Sequence, residues 1–261
     1  MKRAVVSLLV LGLMMGGTSV GAEGGTPTPQ PGDESLADVC RAAVDGIAEL
    51  KSELDFPDHL EVENAIKTED DFDVNEYFTV LDHLKVEDGY ILDYVYQFDG
   101  MGGYPVLYMR EEGEAAFETY ADYSAERDRE TDNYLEHIVA DGTPEGYIQL
   151  AILSVIGDQF YLFWHANYHD VQFICDQETL ETLVESKTMF DDMLPDDVQR
   201  AALKLDVTPD VQIGKDGALV KLVTFTNWGG FYRWTFAFGP GKTPGVMEQE
   251  ILVEYQCGVM F

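Results

Sequence analysis

The chain is 261 residues long, 46% hydrophobic and 12% aromatic, enough apolar material for a packed core, which excludes global disorder. Sixteen Lys and Arg stand against 49 Asp and Glu, a formal net charge of −33. Such a surface repels the phosphates of nucleic acid and of anionic lipid headgroups, so nucleic-acid binding is excluded. A cationic, glycan or protein partner, or solubility in a saline medium, fits the charge instead.

The first residues follow the three-part pattern of a secretory signal peptide: Lys2 and Arg3, an apolar run from Ala4 to Met15, then small residues ending at Ala22. The run is too short for a membrane span, which needs about 20 residues, and no later stretch is long and apolar enough. A protein soluble after removal of residues 1–22 is expected, secreted or held in the periplasm or cell envelope. Residues 1–22 hold two cations and no acid, so the remainder is more negative still. Residues 23–34, with Pro27, Pro29 and Pro31 among glycines and threonines, read as an extended solvated tether. The folded part is expected over 35–261, as a single domain or as two lobes of about 35–187 and 188–261.

Ser35 and Asp38 have capping-box spacing, and Leu36, Cys40, Ala43, Ile47, Leu50 and Leu54 recur at helical spacing behind them. This predicts a helix over 36–54. Residues 61–75 are acidic and aperiodic, a loop. Residues 76–110 read as strands: period two places Leu92, Tyr94, Tyr96 and Phe98 on a core face and Ile91, Asp93, Val95 and Gln97 on the other. A helix is predicted at 112–126, strands at 133–141, 146–158 and 159–176, a helix at 177–186 and a short one opening at Leu194-Pro195. Strands at 205–213, 217–227, 230–238 and 248–257 close the chain. The glycine groups Gly100-Met101-Gly102-Gly103 and Gly229-Gly230 are each followed by strand-like sequence. They are therefore read as hairpin turns and not as phosphate loops, which need a helix behind them. The fold expected is α+β: a mainly antiparallel, twisted sheet built from hairpins and meanders, with helices packed on one face.

Cys40, Cys175 and Cys257 remain after processing, so one disulfide and one leftover thiol are expected, with three pairings open. His165, His169 and Asp170 form the sharpest candidate for a divalent cation. Two imidazoles four apart share a face in a helix or an unbroken strand, though the glutamate of the His-Glu-x-x-His signature is missing. Asp71, Asp73 and Asn75 alternate like calcium ligands, but Glu76 stands where that loop needs glycine. Ser154 lies in an apolar run without a nucleophile elbow. Tyr104, Trp228 and Phe231 flank tight turns and are the candidates for a ligand-binding aromatic patch. With no catalytic signature, the leading expectation is an exported, strongly acidic, non-enzymatic binding or interaction protein that needs no cofactor. A metal-assisted hydrolase using His165 and His169 is the first alternative, and a structural or assembly module the second.

Overall fold

The computed structural model describes residues 35–128, 131–168, 170–186, 188, 192–239 and 245–255, without the side chains of Asn167 and Tyr168. Helix α1 (Leu36–Ser52) starts where Ser35 accepts a hydrogen bond from the Asp38 amide, 3.2 Å, and it buries Val39, Cys40, Ala43 and Ile47. One-turn helix α2 (Tyr77–Val80) precedes strand β1 (Leu84–Val86). Strands β2 (Tyr90–Phe98) and β3 (Gly102–Glu111) form the first hairpin. Helix α3 (Tyr120–Glu126) is closed by a reciprocal Thr119–Asp122 capping box. Strand β4 (Ile138–Ala140) and helix α4 (Pro144–Ile156) follow, then the two-residue strand β5 (Phe163–Trp164) and β6 (Gln172–Ile174). Helices α5 (Gln177–Glu185) and α6 (Asp196–Ala202) lead to β7 (Asp210–Gly214), β8 (Gly217–Thr226), β9 (Gly230–Phe238) and β10 (Gly245–Glu254).

The fold is α+β, and among the described residues every strand pairing is antiparallel. The strands divide among three sheets: β1 with β4, β2-β3-β5, and β10-β9-β8, whose second edge is shared by β6 and β7. Alternation along β8 explains the layering. Val220 and Leu222 join one core with α1 and α4, while Val223 and Phe225 join another with Leu180 and Val184 of α5 and Ala202 of α6. Helices thus reach both faces of the five-stranded sheet, and the second core draws on residues from both sides of position 188. Strand β2 is also covered twice. Leu92, Tyr94 and Tyr96 enter the main core as period two predicts, and Val95 packs with Val106, Tyr108 and Tyr123 beneath α3.

Both glycine groups turn a β-ribbon. Gly100 (φ +83°) and Gly230 (φ +97°) take left-handed backbone, and strands β3 and β9 follow directly. Gly103 serves another purpose: a Cβ there would lie 2.4 Å from the Tyr96 hydroxyl, which passes over it to donate to the Tyr161 carbonyl at 2.7 Å.

Four predicted elements differ. Residues 146–158 are not a strand but most of α4, whose Ile148, Leu150, Ala151, Ile152 and Leu153 are buried on all sides. An apolar run without a polar face has no period to read. Its start is specified by Thr143, which accepts from the Gly146 amide at 3.1 Å, and by Pro144 in the first turn. Of the helix predicted at 112–126 only Tyr120–Glu126 forms, and of the strand at 133–141 only Ile138–Ala140. Residues 159–176 hold two short strands with a 3₁₀ turn (His165–Tyr168) between them.

The α1–α4 packing is fastened by Lys51, which donates to the carbonyls of Ile156 and Gln159, both 3.1 Å; burial pushes its amine down to about 8. The cores are also lined by phenols. Burial holds Tyr77, Tyr94, Tyr96 and Tyr134 protonated well above the usual range and pushes Tyr108 up to about 12. Their folded pKa values exceed the unfolded value of about 10, so their contribution is complete below that pH and is lost as pH rises through the folded values. Each such phenol removes about 1.4 kcal/mol per pH unit in that window. Alkaline unfolding is expected to be steep above pH ~10, with tyrosinate absorbance and far-UV circular dichroism changing together. Ionisation of all 14 tyrosines while the far-UV spectrum stays native would contradict it.

Candidate functional site

Among the described residues, two of the three non-glycine residues with positive φ, Tyr161 and Trp164, lie close together after α4. Phe160 and Tyr161 are buried, and Tyr161 sits at φ +48°. Its hydroxyl accepts from the Phe72 amide at 3.1 Å and its carbonyl receives the Tyr96 hydroxyl, so the surrounding core holds it there. Phe163 turns inward against Phe98 (5.3 Å) and Phe56 (5.2 Å). Trp164 is different. It also has positive φ, +45°, yet its side chain is 58% exposed. A bulky residue in the left-handed region costs about 1–2 kcal/mol, and little packing offsets that here.

Trp164 is placed by the β3–β5 pairing, opposite Gly102 at the tip of the β2–β3 hairpin. The next residue, His165, donates its amide to the Met101 carbonyl at 3.2 Å, and its ring stacks on the indole with centroids 4.3 Å apart. Met101 projects from the tip, 60% exposed. Asp99 accepts from the amides of Met101 (2.9 Å) and Gly102 (2.8 Å), and those bonds hold its carboxyl below the usual range, with the nearby His165 adding to the effect. The result is an exposed indole, a thioether, an imidazole and an ionised carboxylate on one hairpin tip. It offers apolar contact, a π face and negative charge. It contains no nucleophile with a base behind it.

The residues singled out in the sequence differ in burial and in what holds them. Tyr104 is half-buried, its hydroxyl donating to Gln97 Oε1 at 2.7 Å across the β2–β3 ladder. Phe231 is fully buried, 4.8 Å from Phe225 in the second core, so it cannot meet a ligand. Trp228 is half-buried at the β8–β9 turn. Tyr104 thus belongs to the three-stranded sheet, and Phe231 and Trp228 to the five-stranded sheet and its turn, with Phe231 withdrawn into the core.

Asp170 is committed to the β8–β9 turn. It accepts from the Thr226 hydroxyl, the Asn227 amide (2.8 Å) and Asn227 Nδ2 (2.7 Å), which employs both carboxylate oxygens. His169 lies outside the described residues, and His165 stacks on Trp164. Among the described residues no group of three or more His, Cys, Asp or Glu is arranged to hold a metal. The Asp71 stretch is likewise absorbed locally. Asp71 accepts from the Thr68 amide (2.6 Å) and pairs with His59 Nε2 (2.9 Å), and Asp73 accepts from the Asn75 amide (2.9 Å).

Cys40 of α1 is bonded to Cys175, the residue before the α5 cap Asp176, with Cα atoms 5.5 Å apart. Arg41 pairs with both Asp38 and Asp176 beside this bridge. Cys257 lies outside the described residues. A separate cavity of about 500 Å³ between β3 and the end of α4 is lined by Leu107, Asp132, Tyr134, Ser154 and Asp158. Asp132 there already pairs with Arg127 and the Tyr123 hydroxyl.

No helix among the described residues is long and apolar enough to cross a membrane. Trp164 and Met101 were not legible as surface residues, because the sequence pattern places the former inside a strand and nothing but the flanking glycines marks the latter. Comparison with protein-family models, curated proteins and solved structures finds no match.

Proposed function

We propose that the protein is an exported, non-enzymatic binding protein that captures a lysine- or arginine-bearing segment of a cationic partner on the Trp164 hairpin tip. Export is supported by the pattern of residues 1–22 and by the Cys40–Cys175 bridge, a bond favoured in oxidising compartments. The cationic partner is supported by the net charge of −33, which steers such a ligand inward, and by an indole face with an ionised Asp99 close by. Tryptophan is the strongest aromatic receptor for a cation, and such a contact contributes about 0.5–2 kcal/mol.

One observation carries the reading: an exposed tryptophan held on left-handed backbone. Strain that brings no burial is retained where it presents a side chain. In a calorimetric titration of the full chain with a lysine- and arginine-rich octapeptide, Trp164→Ala is expected to weaken binding about tenfold. Asp99→Asn is expected to weaken it less, together with its salt dependence. Unchanged affinity in Trp164→Ala would refute the assignment. Binding of neutral oligosaccharides at Trp164 would replace the cationic partner with a glycan.

A further inference from the structure

Strand β10 is the outer edge of the five-stranded sheet, and among the described residues its strand partner is β9 alone. It is ten residues long, and the six from Val246 to Ile251 are all exposed. Met247 and Ile251 are each 59% exposed and Val246 40%. An exposed edge of this length, with glutamates set among Val246, Met247 and Ile251, presents a row of backbone donors and acceptors to an incoming strand.

The charges on it select the incomer. Within Glu248–Ile251 the register to β9 is continuous, so Glu248 and Glu250 share one face and Gln249 and Ile251 the other. The strand holds Glu248, Glu250 and Glu254 and no cation. Opposite Glu250, Arg233 is shared between that carboxylate (3.5 Å) and the Asp206 carbonyl (3.2 Å). A second copy of this chain is disfavoured here, since two such strands would set glutamates against glutamates on molecules of −33 each.

We infer that the outer edge of β10 over Val246–Ile251 accepts, by strand addition, an extended segment of a partner protein in which lysine or arginine alternates with apolar residues. The cations lie over Glu248 and Glu250, and the apolar residues lie beside Ile251 on the opposite face. This surface is separate from the Trp164 tip and does not depend on it.

The test uses the full chain and the octapeptide (Lys-Val)₄, with a second version N-methylated at alternate amides so that charge is kept and strand pairing is blocked. The expected results are at least tenfold weaker binding of the methylated peptide, a similar loss in Glu248→Lys/Glu250→Lys, and at least fivefold slower hydrogen exchange of β10 amides when (Lys-Val)₄ is bound. All three are measured in Trp164→Ala, so that lysines captured at the Trp164 tip do not contribute and this inference stands or falls separately from the preceding one. Equal binding of both peptides, or peptide binding without protection of β10, would overturn it, and so would a concentration-dependent dimer that protects β10 without peptide.

Discussion

Replacing the Cys40–Cys175 pair by alanines is expected to lower stability by about 3–5 kcal/mol. The bridge spans 135 residues of sequence, so in the unfolded chain it closes a very long loop and removes much of its conformational freedom. It also joins α1 to the start of α5, which belong to different cores. Both cysteines are buried, Cys40 completely. Reductant should therefore act slowly on the native protein and quickly once it unfolds. Denaturant unfolding of the double variant measures the loss, and a shift below about 1 kcal/mol would mean that the bridge contributes little beyond packing.

The second large effect concerns Asp93, which the period-two pattern assigns to the outer face of β2. It is 5% exposed and lies under Lys67 and Arg110, with Arg110 Nε 2.9 Å from one oxygen. Lys67 also lies 4.6 Å over the Tyr94 ring. Removing the carboxylate leaves two partly buried cations facing each other. Asp93→Ala is expected to cost about 3 kcal/mol or more, whereas Lys67→Met, which leaves the Arg110–Asp93 pair intact, should cost about 1 kcal/mol. Thermal unfolding of both variants gives the comparison. Equal losses would show that Lys67 and not the buried carboxylate is the centre of the network.

The burial of Asp93 also shows where sequence periodicity stops being informative. Strand β2 is buried on both faces because Phe117 and α3 cover the second one, and a polar residue on that face then requires paired charges. Helices α1 and α5 were legible because each has one apolar face and a chemical start signal, Ser35 and Asp176 respectively, and the two hairpins because a glycine group marks each turn. Helix α4 was not, since burial on every side erases its period. Only Thr143-Pro144 marks it.

The site was less legible than the fold. Left-handed backbone at Tyr161 and Trp164 has no signature in residue type, because it is imposed by the contacts of neighbouring residues. Proximity to a turn, used to select Tyr104, Trp228 and Phe231, does not determine which side of a sheet a residue faces. Phe231 adjoins Gly230 and is still in the core.

If Trp164 is kept in a strained position for recognition, glycine there should abolish recognition without harming the fold. The decisive measurement is thermal unfolding and basic-peptide affinity of Trp164→Gly, side by side. The account predicts stability unchanged or raised by up to about 1 kcal/mol, because glycine takes positive φ without strain, together with at least tenfold weaker binding. Stability falling by about 2 kcal/mol or more would identify Trp164 as structural, and binding that persists would place recognition elsewhere on the surface.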